Sequence, residues 1–279
     1  MRTLRRAFTA LLVLAALTAF FYWQNCSIQT EQVEVALSAL PPQFDGLRVA
    51  EIADLHGRQF GTDNAALLRA VKNADPDLIC IDGDLFDENT DLSMLPPLLR
   101  GLVAIAPTFY VTGNHEFQVA RRGEMFDLME QLGVCVLRDD YTVMTRDGAS
   151  IVIAGVDDPC GPLERKTPAE LVAQIRAEVG QDAFILLLAH RNDPPERWAA
   201  LGVPLVLAGH CHGGVVRLPL VGGVFGTERT LFPAYDAGLY RADGTALYVS
   251  RGMGYSRAHF RLFNRPHLPV LVLRSVPET

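Results

Sequence analysis

The chain has 279 residues, 49% of them hydrophobic, and a formal net charge of −7. This length suits one α/β domain with a large buried core. Because an acidic chain lacks the clustered lysine and arginine that a phosphate backbone requires, we expect no nucleic-acid partner. The cysteines are odd in number and have no paired spacing, which argues against a disulfide-stapled domain: Cys26, Cys80, Cys135, Cys160 and Cys211.

The first 26 residues combine a basic start with a long apolar stretch. Arg2, Arg5 and Arg6 precede residues 7–23, which carry no charge and end in an aromatic cluster. A core helix is disfavoured, because the stretch has no polar spacing. We expect a single-pass membrane anchor with the domain on the extracytoplasmic side, since positive residues stay in the cytoplasm. The alternative is export through a cleaved signal, and the Arg5–Arg6 pair is compatible with a twin-arginine signal.

The remaining chain divides into a connector and one domain. Residues 27–46 form the connector, in which apolar and polar residues alternate over 32–37 and predict a strand. Residues 47–275 form the domain, with helices predicted at 62–74, 92–104, 121–132 and 168–179. A hairpin is expected around Asp147-Gly148, and the last third is rich in strands. We therefore predict two packed sheets with helices outside.

Five short apolar runs predict buried parallel strands, because they are continuous and rich in branched residues. They cover residues 47–53, 78–81, 109–111, 185–189 and 205–208. Polar clusters lie at or just after the ends of these runs, in chain order Asp54 with His56, Asp84, Asn114 with His115, His190, and His210 with His212. Since α/β sheets carry their chemistry at the carboxyl ends of strands, we expect these clusters to meet on one rim.

The clusters supply aspartate, histidine and asparagine side chains without a cysteine quartet. This donor set suits Mn, Fe or Zn, and we interpret it as a site for two divalent metal ions. Each signal has a structural alternative: Asp84 as a turn residue, Asn114 as a helix cap and His190 as a core histidine. The strongest single signal is the pair of histidines in Gly209-His210-Cys211-His212, framed by glycines.

Three neighbours of the candidate ligands have expected roles of their own. His115 can donate a proton to a leaving oxygen without binding metal. Asp87 can orient a ligand from behind. Cys211 could bind zinc in principle, but in an extended backbone its side chain points away from His210 and His212.

Taken in order, the clusters resemble the pattern of the calcineurin-like metallophosphoesterases. That pattern is Asp-x-His, Gly-Asp-x-x-Asp, Gly-Asn-His-Glu, His and Gly-His-x-His, and every part of it stands here in order. The resemblance covers residues 47–273. It implies an α/β fold, a four-layer α/β/β/α sandwich with a dinuclear metal centre on its rim, here preceded by a hydrophobic helix.

The resemblance also implies a role for each candidate residue. Two ligand sets would share one aspartate, the first being Asp54, His56, Asp84 and His212, and the second Asp84, Asn114, His190 and His210. His115 would assist the leaving group as the catalytic histidine. The implied reaction is hydrolysis of a phosphoester or pyrophosphate bond by a hydroxide that the two metals activate. We expect a phosphorylated small molecule or a lipid as the substrate.

Two other functions stay open. Within the family, the chain is similar to a bacterial branch that includes UDP-2,3-diacylglucosamine pyrophosphatases of lipid A synthesis, although an extracytoplasmic domain would not meet their cytoplasmic substrate. A non-catalytic interaction module on the same fold is disfavoured by the complete ligand set. The sequence does not identify substrate-binding residues, since each candidate cation could instead form a structural salt bridge: Arg58, Arg251, Arg261 and Arg265.

Overall fold

The structure, a computed structural model, describes residues 1–162, 165–227, 229–255 and 260–277. The described residues form six α-helices: α1 (Arg2–Cys26), α2 (Ala65–Ala74), α3 (Leu95–Val103), α4 (Arg122–Gln131), α5 (Pro168–Glu178) and α6 (Pro195–Ala199). The first seven strands of the described residues are β1 (Gln29–Leu37), β2 (Arg48–Ile52), β3 (Leu78–Asp82), β4 (Thr108–Val111), β5 (Cys135–Val136), β6 (Asp140–Arg146) and β7 (Ala149–Gly155). Seven more follow: β8 (Phe184–Leu188), β9 (Leu205–Ala208), β10 (Arg217–Leu218), β11 (Gly222–Gly223), β12 (Gly238–Ala242), β13 (Thr245–Val249) and β14 (His267–Ser275).

Two six-stranded sheets organise the domain. The first has the strand order β1-β14-β2-β3-β4-β5, and the second has the order β12-β13-β9-β8-β7-β6. Strands β2, β3 and β4 run parallel in the first sheet, as do β7, β8 and β9 in the second. All five apolar runs of the sequence are among these strands, which confirms the predicted buried parallel strands.

Alternate side chains of each sheet enter different cores. In β2, Val49 faces the second sheet, where it shares a core with Leu186 and Leu207, whereas Ala50 and Ile52 face the helices. The outer face of the first sheet packs against α2, α3 and α4, and that of the second against α5 and α6. Three cores therefore separate four layers, which confirms the predicted α/β/β/α sandwich.

The segment between α1 and β2 is part of the first sheet. Strand β1 pairs in parallel with β14 along its whole length, from Gln29 opposite His267 to Leu37 opposite Ser275.

Helix α2 begins three residues later than the pattern predicted, because residues 62–64 form a 3-10 turn in which Asp63 and Asn64 have positive φ angles of 51° and 58°.

Helix α1 is long and apolar enough to cross a membrane. It has 25 residues, and its most apolar window has a mean hydropathy of 1.7 with no residue buried. At 1.5 Å per residue it extends about 37 Å, against a hydrocarbon layer of about 30 Å. Its last turn is different, because Gln24 is buried against the domain. The predicted N-terminal hydrophobic helix is thus present.

We expect the core between the two sheets to dominate stability. Leu207→Ala removes a fully buried side chain from this core and should lower the free energy of unfolding by about 2–5 kcal/mol. Urea denaturation of the detergent-solubilised full chain, followed by circular dichroism, measures this change. The control is Val143→Ala in β6, since Val143 is 43% exposed and should cost less than about 1 kcal/mol. Equal losses would contradict the assignment.

Candidate metal centre

Loops from both sheets meet on one rim of the sandwich. Asp54 and His56 follow β2, Asp84 follows β3, and Asn114 follows β4. From the second sheet, His190 follows β8, and the segment from His210 to His212 follows β9. The backbone N–H of His210 donates to both oxygens of Asp54, at 3.1 and 3.0 Å, which ties the loops of the two sheets together.

The candidate ligands form three overlapping groups whose donor atoms lie within 4.8 Å of one another. The groups are Asp54 with His56 and His212, His56 with Asp84 and His115, and Asp84 with His190 and His210. Asp84 belongs to two of them: its Oδ2 lies 3.7 Å from His56 Nε2 and 3.3 Å from His190 Nε2. His56 Nε2 and His212 Nε2 are 3.2 Å apart. The geometry therefore centres on the carboxylate of Asp84.

Several buried polar atoms of this rim have no hydrogen-bond partner among the described residues, and two of them belong to candidate ligands that no carboxylate group contacts closely enough to pair. Asn114 Oδ1 and His210 Nδ1 make no hydrogen bond with any described residue. Asn114 is also not the cap of the following 3-10 turn, whose N-terminal boundary is His115. A buried acceptor without a partner costs about 1–3 kcal/mol, and a bound cation would satisfy it. The residues present thus fit a metal centre.

Contacts behind two of the histidines, His190 and His56, leave their Nε2 atoms directed into the site. His190 Nδ1 lies 2.8 Å from the backbone oxygen of Asp82, and His56 Nδ1 lies 3.4 Å from Asp87 Oδ2. Such partners select the tautomer whose Nε2 lone pair can bind a metal. Asp87 therefore holds His56 in the way the sequence predicted.

The histidines have different proton affinities. Burial, aided by the charges of His190 and Arg191, lowers the pKa of His210 to about 3. Burial and the charges of His56 and Arg261 hold the pKa of His212 well below its usual range. Both are therefore neutral, the form that binds metals. Burial alone would lower the pKa of His190 too, but Asp84 outweighs it through its charge and a hydrogen bond and raises that pKa well above its usual range. A cation that binds His190 must therefore displace a proton from its imidazole.

The carboxylates around the centre also differ. Burial raises the pKa of Asp84, but the charge and hydrogen bond of His190 outweigh burial and hold that pKa well below its usual range. Glu51 and Asp82 are fully buried, and their carboxylate oxygens have no hydrogen-bond partner among the described residues. Burial raises the pKa of each well above its usual range, so both hold a proton. The position of Glu51 beside Asp54 and Asp82 was not predicted from the sequence.

The backbone of the ligand loops is unusual. Positive φ angles between 48° and 64° occur at five of the seven candidate ligands, namely Asp54, His56, Asp84, His210 and His212. The loops also approach closely: a Cβ on Gly113 would lie 2.3 Å from Asp84 Oδ1. Only glycine fits there, which explains the glycine before Asn114 in physical terms.

The structure identifies two supporting residues whose roles the sequence did not predict. The buried carboxylate of Glu116 accepts backbone N–H groups of Gly113, Asp84 and Leu85 at 2.9, 3.1 and 2.7 Å. Burial and the charge of Asp84 raise the pKa of Glu116 to about 7. Asn264 Nδ2 donates to the backbone oxygen of His212 at 2.8 Å. Glu116 stood inside a recognised motif, whereas Asn264 is a neighbour only in three dimensions.

The expectations for the nearby cysteine and arginines have clear outcomes. Cys211 does not lie in an extended segment, because its φ and ψ are −80° and −10°; burial raises its pKa to about 12, so it is a neutral thiol.

All four candidate phosphate-binding arginines have protein partners. Arg58 donates to Met253 O, Arg251 pairs with Glu31, Arg261 donates to Gly254 O, and Arg265 donates to Ser27 O. Arg251 thus forms the expected structural salt bridge, whereas the other three arginines donate to backbone oxygens instead.

Comparison with known proteins gives consistent findings. A family model described as calcineurin-like phosphoesterase matches residues 47–214. The chain is 30% identical to an uncharacterized metallophosphoesterase, YkuE, of Bacillus subtilis, over 91% of this chain and 88% of that protein. It is 30% identical to the phosphodiesterase YaeI of Escherichia coli, over 81% of this chain and 82% of that protein.

One relative is longer than this chain and is named a transmembrane protein. The chain is 31% identical to a transmembrane protein with metallophosphoesterase domain from Bos taurus, over 88% of this chain and 57% of that protein. The chain therefore spans little more than half the length of this bovine relative.

A glycine substitution tests how tightly the loops are packed. A Cβ on Gly83 would lie 2.6 Å from both Gly113 N and His190 Nδ1, whereas a Cβ on Gly148 would have nothing within 4 Å. Their φ angles, +72° and +79°, are similar, so both alanine variants share a backbone cost of about 1–2 kcal/mol. Gly83→Ala should also weaken Mn²⁺ binding by about 10–100-fold, while Gly148→Ala should not. Isothermal titration with Mn²⁺ compares them, and equal affinities would refute the close approach.

Proposed function

We propose that this chain, which belongs to the calcineurin-like phosphoesterase family, cleaves its phosphoester with two divalent metal ions. Family membership makes it a hydrolase acting on phosphoester bonds. The observation that carries the proposal is the position of Asp84 Oδ2, 3.7 Å from His56 Nε2 and 3.3 Å from His190 Nε2. A carboxylate oxygen this close to two histidines could be a ligand of two metal ions at once, which supports Asp84 as the shared ligand.

Two ligand sets are proposed on either side of Asp84. The first set is Asp54, His56, Asp84 and His212, and the second is Asp84, Asn114, His190 and His210. Their oxygen and nitrogen donors suit Mn, Fe or Zn. Two such cations supply a water of lowered pKa as the nucleophile and neutralise charge on the phosphoryl oxygens.

The chain's own contribution to bond cleavage is assigned to His115. Its backbone N–H donates to Asp84 Oδ1 at 2.8 Å, which fixes the residue beside the bridging carboxylate. Its side chain is 27% exposed, and Nδ1 lies 3.8 Å from Glu88 Oε2. A partly exposed imidazole next to the centre can hand a proton to the departing oxygen of the substrate. His115 is therefore proposed as the general acid.

The surroundings of the reaction follow from α1. Its length and apolar character, and the bovine relative named a transmembrane protein, support a single-pass anchor. The arginines at its start support an extracytoplasmic position of the domain, because positive residues stay in the cytoplasm; export with cleavage of α1 is the alternative. The substrate is a phosphorylated small molecule or lipid, and the phosphodiesterase name of the Escherichia coli relative favours a phosphodiester.

Two substitutions separate metal binding from proton transfer. Asp84→Asn should lose both metals, because it removes the anionic oxygen that both ligand sets share. His115→Ala should keep both metals and lose about 10²–10⁴ in hydrolysis rate. The full chain in detergent, reconstituted with Mn²⁺, is assayed for metal by plasma mass spectrometry and for hydrolysis of bis-(p-nitrophenyl) phosphate.

The matched control is Asp127→Asn, an exposed carboxylate of α4, which should leave metal content and rate unchanged. Equal metal loss in Asp84→Asn and His115→Ala would make His115 a ligand, which its grouping with His56 and Asp84 also permits. Full activity of Asp84→Asn would refute the dinuclear centre.

A further inference from the structure

The exposed apolar side chains of the domain are concentrated in one area. After α1, the described residues expose eleven large hydrophobic side chains, and eight of these lie in residues 215–225, 231–232 and 260–263. We call these three segments the apolar platform. Six of the eight lie in the first two segments: Leu218, Leu220, Val221, Phe225, Leu231 and Phe232. Phe260 and Phe263 are the other two. Such a concentration marks an interaction surface.

Backbone hydrogen bonds join the three segments into one surface. Arg217 N donates to Leu262 O at 3.0 Å, and Phe232 N donates to Val224 O at 3.0 Å. Between them, β10 pairs antiparallel with β11, which makes a hairpin with Leu220 at its tip. Leu220 is three residues from Arg217 and so lies within about 11 Å of it. The exposed side chains therefore share one continuous piece of structure.

The platform is continuous with the end of α1. The rings of Phe263 and Phe20 have centroids 5.9 Å apart, and the guanidinium of Arg265 lies 4.6 Å from the ring centroid of Trp23. Asn25 and Arg261 exchange two hydrogen bonds, at 2.7 and 3.2 Å. Phe20 belongs to the uncharged stretch 7–23. If that stretch crosses a bilayer, Phe263 lies at the boundary of the same bilayer.

We propose that the apolar platform docks onto the surface of the lipid bilayer that α1 crosses, an inference that rests on the anchor role proposed for α1. Leu220 and Val221 at the hairpin tip then enter the interfacial layer. Leu220 is the most exposed of these side chains: it is 108% exposed, so no described residue of the domain packs over it. Burying such a side chain in lipid is favourable, because its apolar surface leaves water. Lipid is favoured over a protein partner because the surface continues into a helix of membrane-spanning length.

The platform also borders the metal centre. Leu231 and Phe232 line a groove of ≈ 430 Å³ that His210 and Cys211 also line. A groove walled by platform residues opens at the level of the lipid headgroups once the platform is docked. The substrate class that fits this placement is a phosphoester carried by a membrane lipid.

The docking is tested by fluorescence quenching without any need for turnover. The full chain is reconstituted into phosphatidylcholine vesicles with or without lipids brominated near the headgroup end of the acyl chains. Leu220→Trp should gain an emission that brominated lipid quenches severalfold more strongly than the emission gained by Val143→Trp. Val143 is the control because it is exposed on β6, an edge strand of the second sheet that is not part of the apolar platform. The signal of Trp23 and Trp198 in the unmodified chain is subtracted. Equal or absent quenching would overturn the docking.

A second variant tests the lipid substrate. Leu220→Ser with Val221→Ser lies outside the groove and the metal centre, so hydrolysis of soluble bis-(p-nitrophenyl) phosphate should be unchanged. Hydrolysis of a p-nitrophenyl diacylglycerol phosphodiester in the same vesicles should fall severalfold. Equal rates of the variant and the unmodified chain on the vesicle substrate would overturn the inference. If the unmodified chain hydrolysed neither substrate, the proposed enzymatic function would fail, and the quenching result would still decide the docking.

Discussion

Five candidate ligands depend on a backbone conformation that L-amino acids rarely adopt. Asp54, His56, Asp84, His210 and His212 have φ angles of 51°, 48°, 48°, 64° and 51°, each of which costs about 1–2 kcal/mol. The cost is tolerated because every one of these loops leaves a strand buried on both faces. The rigid sheets hold the loops, and the tight loops turn neighbouring side chains toward one point. The chemistry of the rim thus depends on the stability of the core beneath it.

Charge is the second constraint on this rim. Glu51, Asp54, Asp82 and Asp84 are all buried within one region, where an isolated carboxylate is costly. The carboxyl groups differ in pKa. Burial raises the pKa of Glu51 and Asp82 and favours their protonated form, whereas His190 lowers the pKa of Asp84 and keeps it ionised. Asp84 is therefore the anionic oxygen donor best suited to attract cations, and the neutral His210 and His212 are candidate nitrogen donors beside it.

The end of α1 and the metal centre share a single loop, residues 261–265. Arg261 hydrogen-bonds Asn25 through its backbone, and its guanidinium lies 3.4 Å from His212 Nδ1. Asn264 in the same loop donates to the backbone oxygen of His212. Because the same few residues hold the helix and a candidate ligand, the orientation of the centre relative to α1 is set by short, direct contacts. A centre placed this way can act at a fixed distance from a membrane surface.

Much of the fold was predictable from local pattern. The parallel strands were recognisable because a strand buried on both faces must be continuously apolar, and α4 and α5 end next to glycines, Gly133 and Gly180, whose φ angles are positive. The seven candidate ligands and His115 were predictable as a set because each stands at or near a strand end. Their convergence followed from the rule that the carboxyl ends of parallel strands share an edge.

What the sequence by itself determined was therefore the type and order of the elements and the identity of the candidate donor side chains. Only the tertiary structure decided the pairing of β1 with β14, the acceptor role of Glu116, the burial of Glu51, and the joining of α1 to the apolar platform. No pattern in the sequence, for example, predicts that the rings of Phe20 and Phe263 are in contact. Such contacts join residues far apart in sequence, and their formation depends on packing that local propensity and spacing do not encode.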